Sequence, residues 1–186
     1  MLSETLEKKK KRTLNMIHIH FDALLRTEAF VERVETRLTD ATRFWTDFLA
    51  PFIWDEIDDI FDSEGNGRWA GLDPLYAARK GVTHPGKGIL EREGSYRDAA
   101  THPNRPGSIA EYSAQELVLG VSGGYFESRF GANYPALHEE GNDETNLSAR
   151  PVYELIAAGE RFEERVGQLG DKYLQEEIAA AERGNR

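Results

Sequence analysis

The 186-residue chain contains no cysteine. Disulfide staples and thiolate metal sites are therefore excluded outright, and stability has to come from packing. Basic charge is also short, with 23 Lys and Arg against 33 Asp and Glu and a formal net charge of −10. That balance argues against a general nucleic-acid binder, which carries a basic face, but not against a protein past which DNA slides without being gripped. Long apolar runs are missing too: none approaches the roughly 18 residues of a membrane span. The segment "TLNMIHIHF" after "EKKKKR" is too short and too polar for a signal-peptide core. A soluble protein with no membrane partner is expected. What is present, 39% hydrophobic and 30% charged residues, allows one core, hence one domain with extensions, under a heavily charged surface.

Apolar spacing sets the organisation. Leu14, Ile17, Phe21 and Leu24 recur at helical intervals, so a helix is expected over 3–26, although "IHIHF" also alternates as a strand does. From Val31 onward Val34, Leu38, Ala41, Trp45, Phe48 and Phe52 follow three and four residues apart, a seam suited to another helix or a neighbouring subunit. Thr39 or Asp40 is placed to cap a fresh helix, and Pro51 to kink or restart it. Ile53, Ile57, Ile60 and Phe61 carry the seam to "DSEGNG", where it must stop. Between 62 and 107 Gly and Pro leave room only for short helices, near 73–80 and 87–98. "SIAEYSAQELVLGVS" (108–122) and "YFESRF" (125–130) read as two strands joined by Gly123-Gly124. In the first of these, Leu117 and Leu119 face one side and Val118 the other. After Pro151 a helix resumes, with Val152, Leu155, Phe162, Val166, Leu169 and Tyr173 as its stripe. The expected class is α+β, with long helices flanking a small antiparallel sheet.

Candidate chemistry is thin. His18 and His20 share a face only if their segment is a strand, and no acidic partner lies near in sequence, so a half-exposed face is the preferred reading over a metal pair. Lys8 to Arg12 suits phosphate contact or simple solvation. The acids Asp55, Glu56, Asp58, Asp59, Asp62 and Glu64 fall at helical spacing on the solvent side and form no calcium loop. Phosphate-loop, dinucleotide and nucleophile-elbow motifs are missing from the sequence. In "LHEEGNDETNLSARPVYEL" (137–155), His138, Glu139 and Glu140 invite an acid–base reading, but no second His follows at the zincin spacing. Gly141 instead suits the end of a short helix over 134–140. Pro151 suits the first turn of the next, with Ser148 as a contributor to its cap. The expectation is a non-enzyme with no cofactor and no metal site.

The order of certain residues resembles the phage virion morphogenesis family, the tail-completion proteins similar to the G protein of bacteriophage Mu. Phe61, Trp69, Lys80, the turn Leu90 to Gly94, the strand ending at Gly120, Tyr134 with Ala136, His138 and Gly141, and Ala149-Arg150-Pro151 match the family pattern over about 44–160. Pro135 stands where the family usually has Ala, and "GGYFESRFGAN" lengthens the piece before Tyr134. The resemblance implies a structural virion protein of a tailed phage, assembled in the host cytoplasm and located at the head–tail junction, or neck. It implies copies forming a ring around the DNA channel, with neighbouring neck, portal-side or tail-tube-side proteins as partners and DNA passing without sequence-specific binding. The divisions it implies are a helical extension (1–40), the tail-completion-like α+β domain (41–165) and a helical tail (166–186). Subunit packing then falls to the seam Val31, Val34, Leu38, Trp45, Phe48 and Phe52. An acidic cluster, 55–64 or 139–144, is expected to face the channel. The competing readings are a metal-dependent hydrolase using His18, His20 and His138, and a helical adaptor whose seam recruits a partner helix.

Overall fold

A computed structural model describes residues 31–157 and 161–183; the expected helix over 3–26, Lys8 to Arg12 and the His18/His20 pair lie outside this set. Residues 31–39 are helical (α1). Asp40 follows that helix, and the N-cap of the next is Ala41, without a side-chain cap bond; Asp40 Oδ1 accepts the Thr42 N–H at 2.9 Å from one residue earlier. The chain then runs through α2 (Thr42–Phe44), a π turn (Trp45–Leu49) and α3 (Ala50–Asp62). Pro51 has no N–H to give the Asp47 carbonyl one turn back. The ladder widens just before it, and the Ala50 N–H reaches Trp45 O instead.

Helix α3 places Ile57, Ile60 and Phe61 in the core. It ends in a turn where Glu64, Gly65, Asn66 and Gly67 all have left-handed φ, from 51° to 73°. At Gly65 a Cβ would sit 2.4 Å from the Trp69 ring, so only glycine lets Trp69 fold back over the turn. Trp69 then meets Phe61 edge-on at 5.7 Å, and Tyr96 meets Phe61 at 5.4 Å. Phe126 and Tyr134 extend this aromatic core with centroids 4.9 Å apart.

Asp73 caps α4 (Pro74–Thr83), accepting from Leu75 and Tyr76 N–H groups at 3.0 Å. The helix expected over 87–98 begins only at Ser95, as α5 (Ser95–Thr101). Leu90 and Gly94 have φ of 64° and 82°, which no helix accommodates, so 87–94 is a loop.

The sheet is two-stranded and antiparallel: β1 (Ser108–Tyr112) pairs with β2 (Leu117–Val121), Ser108 opposite Val121. The expected long strand is therefore itself the hairpin. Ser113 turns the chain, its Oγ accepting the Glu116 N–H at 3.0 Å. The second strand expected at 125–130 is a helix, α6 (Gly123–Phe130), because Ser122 caps it through the Tyr125 N–H at 3.2 Å. Phe126 and Phe130, four apart, stack at 5.9 Å. The alternation assigned to β2 holds, with Val118 exposed between half-buried Leu117 and Leu119.

Helix α7 (Tyr134–Glu140) and α8 (Tyr153–Ala157) complete the core side, and α9 (Phe162–Arg183) lies along the π turn. Tyr173 of α9 meets Phe44 at 5.4 Å and Phe48 at 5.8 Å. Glu177, its side chain 3% exposed, takes Arg37 at 2.9 Å and also Arg43. Helix α9 runs unbroken through 165 and 166. The class is α+β, and no described helix is long and apolar enough to cross a membrane.

Candidate functional site

The stretch 137–155 is where the chain's polar groups converge. Helix α7 forms because Asn133 Oδ1 accepts the Ala136 N–H and Pro135 fills a first-turn position. It ends at Gly141, with φ 78° and ψ 177°, a conformation open essentially to glycine alone. A Cβ there would lie 2.9 Å from Ala149 N and 3.0 Å from Leu147 O. The following loop closes on itself through reciprocal Asn142–Leu147 backbone bonds of 2.8 Å. It brings the Arg150 N–H back to His138 O at 2.6 Å. Pro151 does not start a helix; α8 begins at Tyr153, and the backbone at 150–152 is occupied otherwise. Pro151 O accepts from Trp69 Nε1 at 2.9 Å, and both Glu139 carboxylate oxygens accept the Val152 N–H, at 2.9 and 3.0 Å.

Arg150 crosses in the same place. Its Nε donates to Ala70 O at 3.0 Å and Nη2 to Gly71 O at 3.3 Å. Trp69 and Arg150 thus tie segment 69–71 to segment 150–151 by a side chain from each side. Glu139 also accepts from Tyr96 Oη at 2.8 Å. Burial pushes its carboxyl above the usual range, an effect opposed by the Tyr96 and Val152 bonds. It is a structural carboxylate, so the expected acidic cluster at 139–144 loses its first member to the interior.

On the other side of this knot lies a cleft of about 810 Å³ whose walls include Lys80, Leu90, Gly94, Tyr134, His138 and Arg150. Lys80 and Arg150 are each only 6% exposed. Lys80 Nζ donates to Gly88 O, and burial lowers its pKa against the pull of Glu91 and Glu64. Burial likewise lowers Arg150. His138 is pushed down to about 4 by burial and then by the neighbouring Arg150, so it is neutral at pH 7. Its Nδ1 is buried without a hydrogen-bond partner among the described residues, while its backbone carbonyl accepts the Arg150 N–H. Burial also raises the Tyr134 hydroxyl to about 12.

The sequence-chosen residues mostly meet here. Phe61 and Trp69 stand in the core behind the knot, and Ala149 is the residue against which Gly141 closes. Gly120 lies apart, in β2 opposite Ile109. The seam divides: Phe48 is buried, Val34, Trp45 and Phe52 are half-buried, and Val31 and Leu38 are exposed. Trp45 Nε1 donates to Ser113 O at 3.1 Å, fastening the hairpin rather than a partner. Tyr96 and Arg97 have no place in the sequence expectations, and Glu139 has one only as an acid–base or channel-facing candidate. Glu139 and Tyr96 form the buried hydroxyl–carboxylate pair. Arg97 gathers Asp58, Asp62 and Glu91 at 2.6, 2.7 and 3.0 Å, which draws two of the "solvent-side" acids onto one cation. Among the described residues no three His, Asp or Glu side chains are grouped to hold a metal ion. No protein-family model, curated protein or solved structure matches the chain.

Proposed function

We propose that this chain is a non-catalytic structural protein of a tailed-phage virion, acting at the head–tail junction as one copy in a ring around the DNA channel. The observation that carries the reading is the convergence of the motif residues. Trp69, His138, Gly141, Ala149, Arg150 and Pro151, up to 82 positions apart in sequence, bond or close on one another in a single knot. A family pattern spread thinly along a chain has a physical basis when its members fix one architecture. Their polar groups are largely turned on backbone carbonyls and N–H groups, which is how residues conserve a shape. Two exposed apolar faces support subunit packing: Val31 and Leu38 on α1, and Leu75 and Val82 on α4, the latter pair 84% and 83% exposed. A ring uses two different faces of each copy, which must close under rotation.

Imaging purified virions tests the reading: density for this chain is expected at the neck with rotational symmetry. Its presence only in lysate, absent from particles, would sink the proposal. The adaptor reading keeps one observation in its favour, the exposure of Val31 and Leu38 at helical spacing on one element. It predicts a one-to-one complex with a helical partner in place of a ring.

A further inference from the structure

Buried cations are ordinarily paired with an anion, and Arg150 breaks that habit in this cleft. Neither Lys80 nor Arg150 has a carboxylate within ion-pair distance among the described residues. Arg150 spends Nε and Nη2 on two carbonyls, and Nη1 has no protein acceptor among the described residues. Lys80 keeps donors beyond the one given to Gly88. His138 lines the same cleft, its Nδ1 also without a partner among the described residues. The cleft's other charges are Arg92, Asp73 and Glu93, and Asp73 is committed to the cap of α4. Glu91 and Glu64 also act on Lys80 from beside the cleft, so Arg150 is the buried cation with no carboxylate close to it among the described residues.

We propose that this cleft binds a carboxylate, held by Arg150 Nη1 and Lys80 beside the ring of His138. A singly charged group suits walls that also carry Asp73 and Glu93 better than a phosphate dianion does. Charge-assisted bonds from a dry guanidinium and ammonium are the strong kind. The carboxylate has two possible sources, a free small acid or an acidic side chain of a second copy whose apolar neighbours rest on Leu75 and Val82 at the same helix. The site stands on its own geometry and holds whether or not the chain belongs to a virion neck.

The test uses the full chain, with acetate as probe, acetamide as its uncharged match and chloride to hold ionic strength. His138 ring signals are followed by nitrogen-15 NMR, and self-association by sedimentation. Acetate is expected to shift the His138 signals saturably and acetamide is not; Lys80→Met, which keeps the aliphatic stem, should weaken acetate at least tenfold, about 1.4 kcal/mol. If the chain is monomeric and acetate binds, the natural occupant is a small acid. If it self-associates and acetate dissociates it, the occupant is a neighbouring copy. Should Lys80→Met fail to fold, the acetate–acetamide contrast on the unaltered chain still decides. Equal responses to acetate and acetamide, or His138 signals unmoved by acetate with no effect on self-association, would overturn the proposal.

Discussion

Trp69 fills the core beside Phe61 while its indole N–H holds Pro151 O, so its two halves can be separated by mutation. Trp69→Ala is expected to cost roughly 3 to 5 kcal/mol by cavity formation. Trp69→Phe should cost less, keeping much of the ring contact and losing the bond, and urea unfolding of both variants checks the order. Gly141→Ala adds a methyl where φ is 78° and Ala149 N stands 2.9 Å away. About 1 to 3 kcal/mol of strain is expected, with the 142–150 loop exchanging its amides faster. His138 sets a pH dependence. Its folded pKa, near 4, lies below the unfolded value of 6.5, so folding is favoured while the ring stays neutral. That contribution is complete above about pH 6.5 and is lost as pH falls toward 4. Glu139, raised by burial, contributes with the opposite sign in the acid range. The measurement is therefore a difference: thermal melts from pH 7 to 4 should fall less for His138→Gln than for the unaltered chain, and parallel curves would refute the assignment.

At the scale of elements, α9 is fastened to the N-terminal helices by a carboxylate on its buried stripe. Glu177→Ala leaves Arg37 and Arg43 without their shared acceptor. It is expected to destabilise the docking of α9 by about 1 kcal/mol, since both arginines are 45% exposed and screened. Limited proteolysis within α9 should quicken while the aromatic core around Phe126 stays protected. Much of this architecture was legible beforehand. The stripe through Phe162, Val166, Leu169 and Tyr173 gave α9, Gly141 gave the end of α7, and the alternation around Val118 gave the facing of side chains in β2 though not the hairpin that contains it. What escaped has a physical pattern. Glu177 sits on an apolar stripe because distant arginines neutralise it, and no local window contains them. The strand expected at 125–130 is helical because Ser122 caps it, and Gly123-Gly124 form its first turn in place of a hairpin loop. The cleft was illegible for the same reason as Glu177: Lys80, His138 and Arg150 stand 58 and 12 positions apart, and only the knot brings them to one wall.

For the molecule as a whole, the neck proposal makes charge a matter of placement. Exposed Asp55 and Asp59 on α3 are expected to face passing DNA, which an acidic wall repels weakly and a basic one retains. Replacing both by Lys should slow DNA release from assembled particles, and added salt should restore it, because surface charge is screened over about 10 Å at 0.1 M. Unchanged release would place these acids on the outer wall. The clasp between α9 and the N-terminal helices has a bearing on timing. Arg43 emerges from the ribosome 134 residues before Glu177, a gap of about 7 to 27 s at 5–20 residues per second. Throughout that interval the nascent chain holds a pair of arginines and the aromatic rings of Phe44 and Phe48 with no closing helix. A half-made subunit therefore presents a different face from a finished one, and under the neck proposal a growing ring has a means of refusing it.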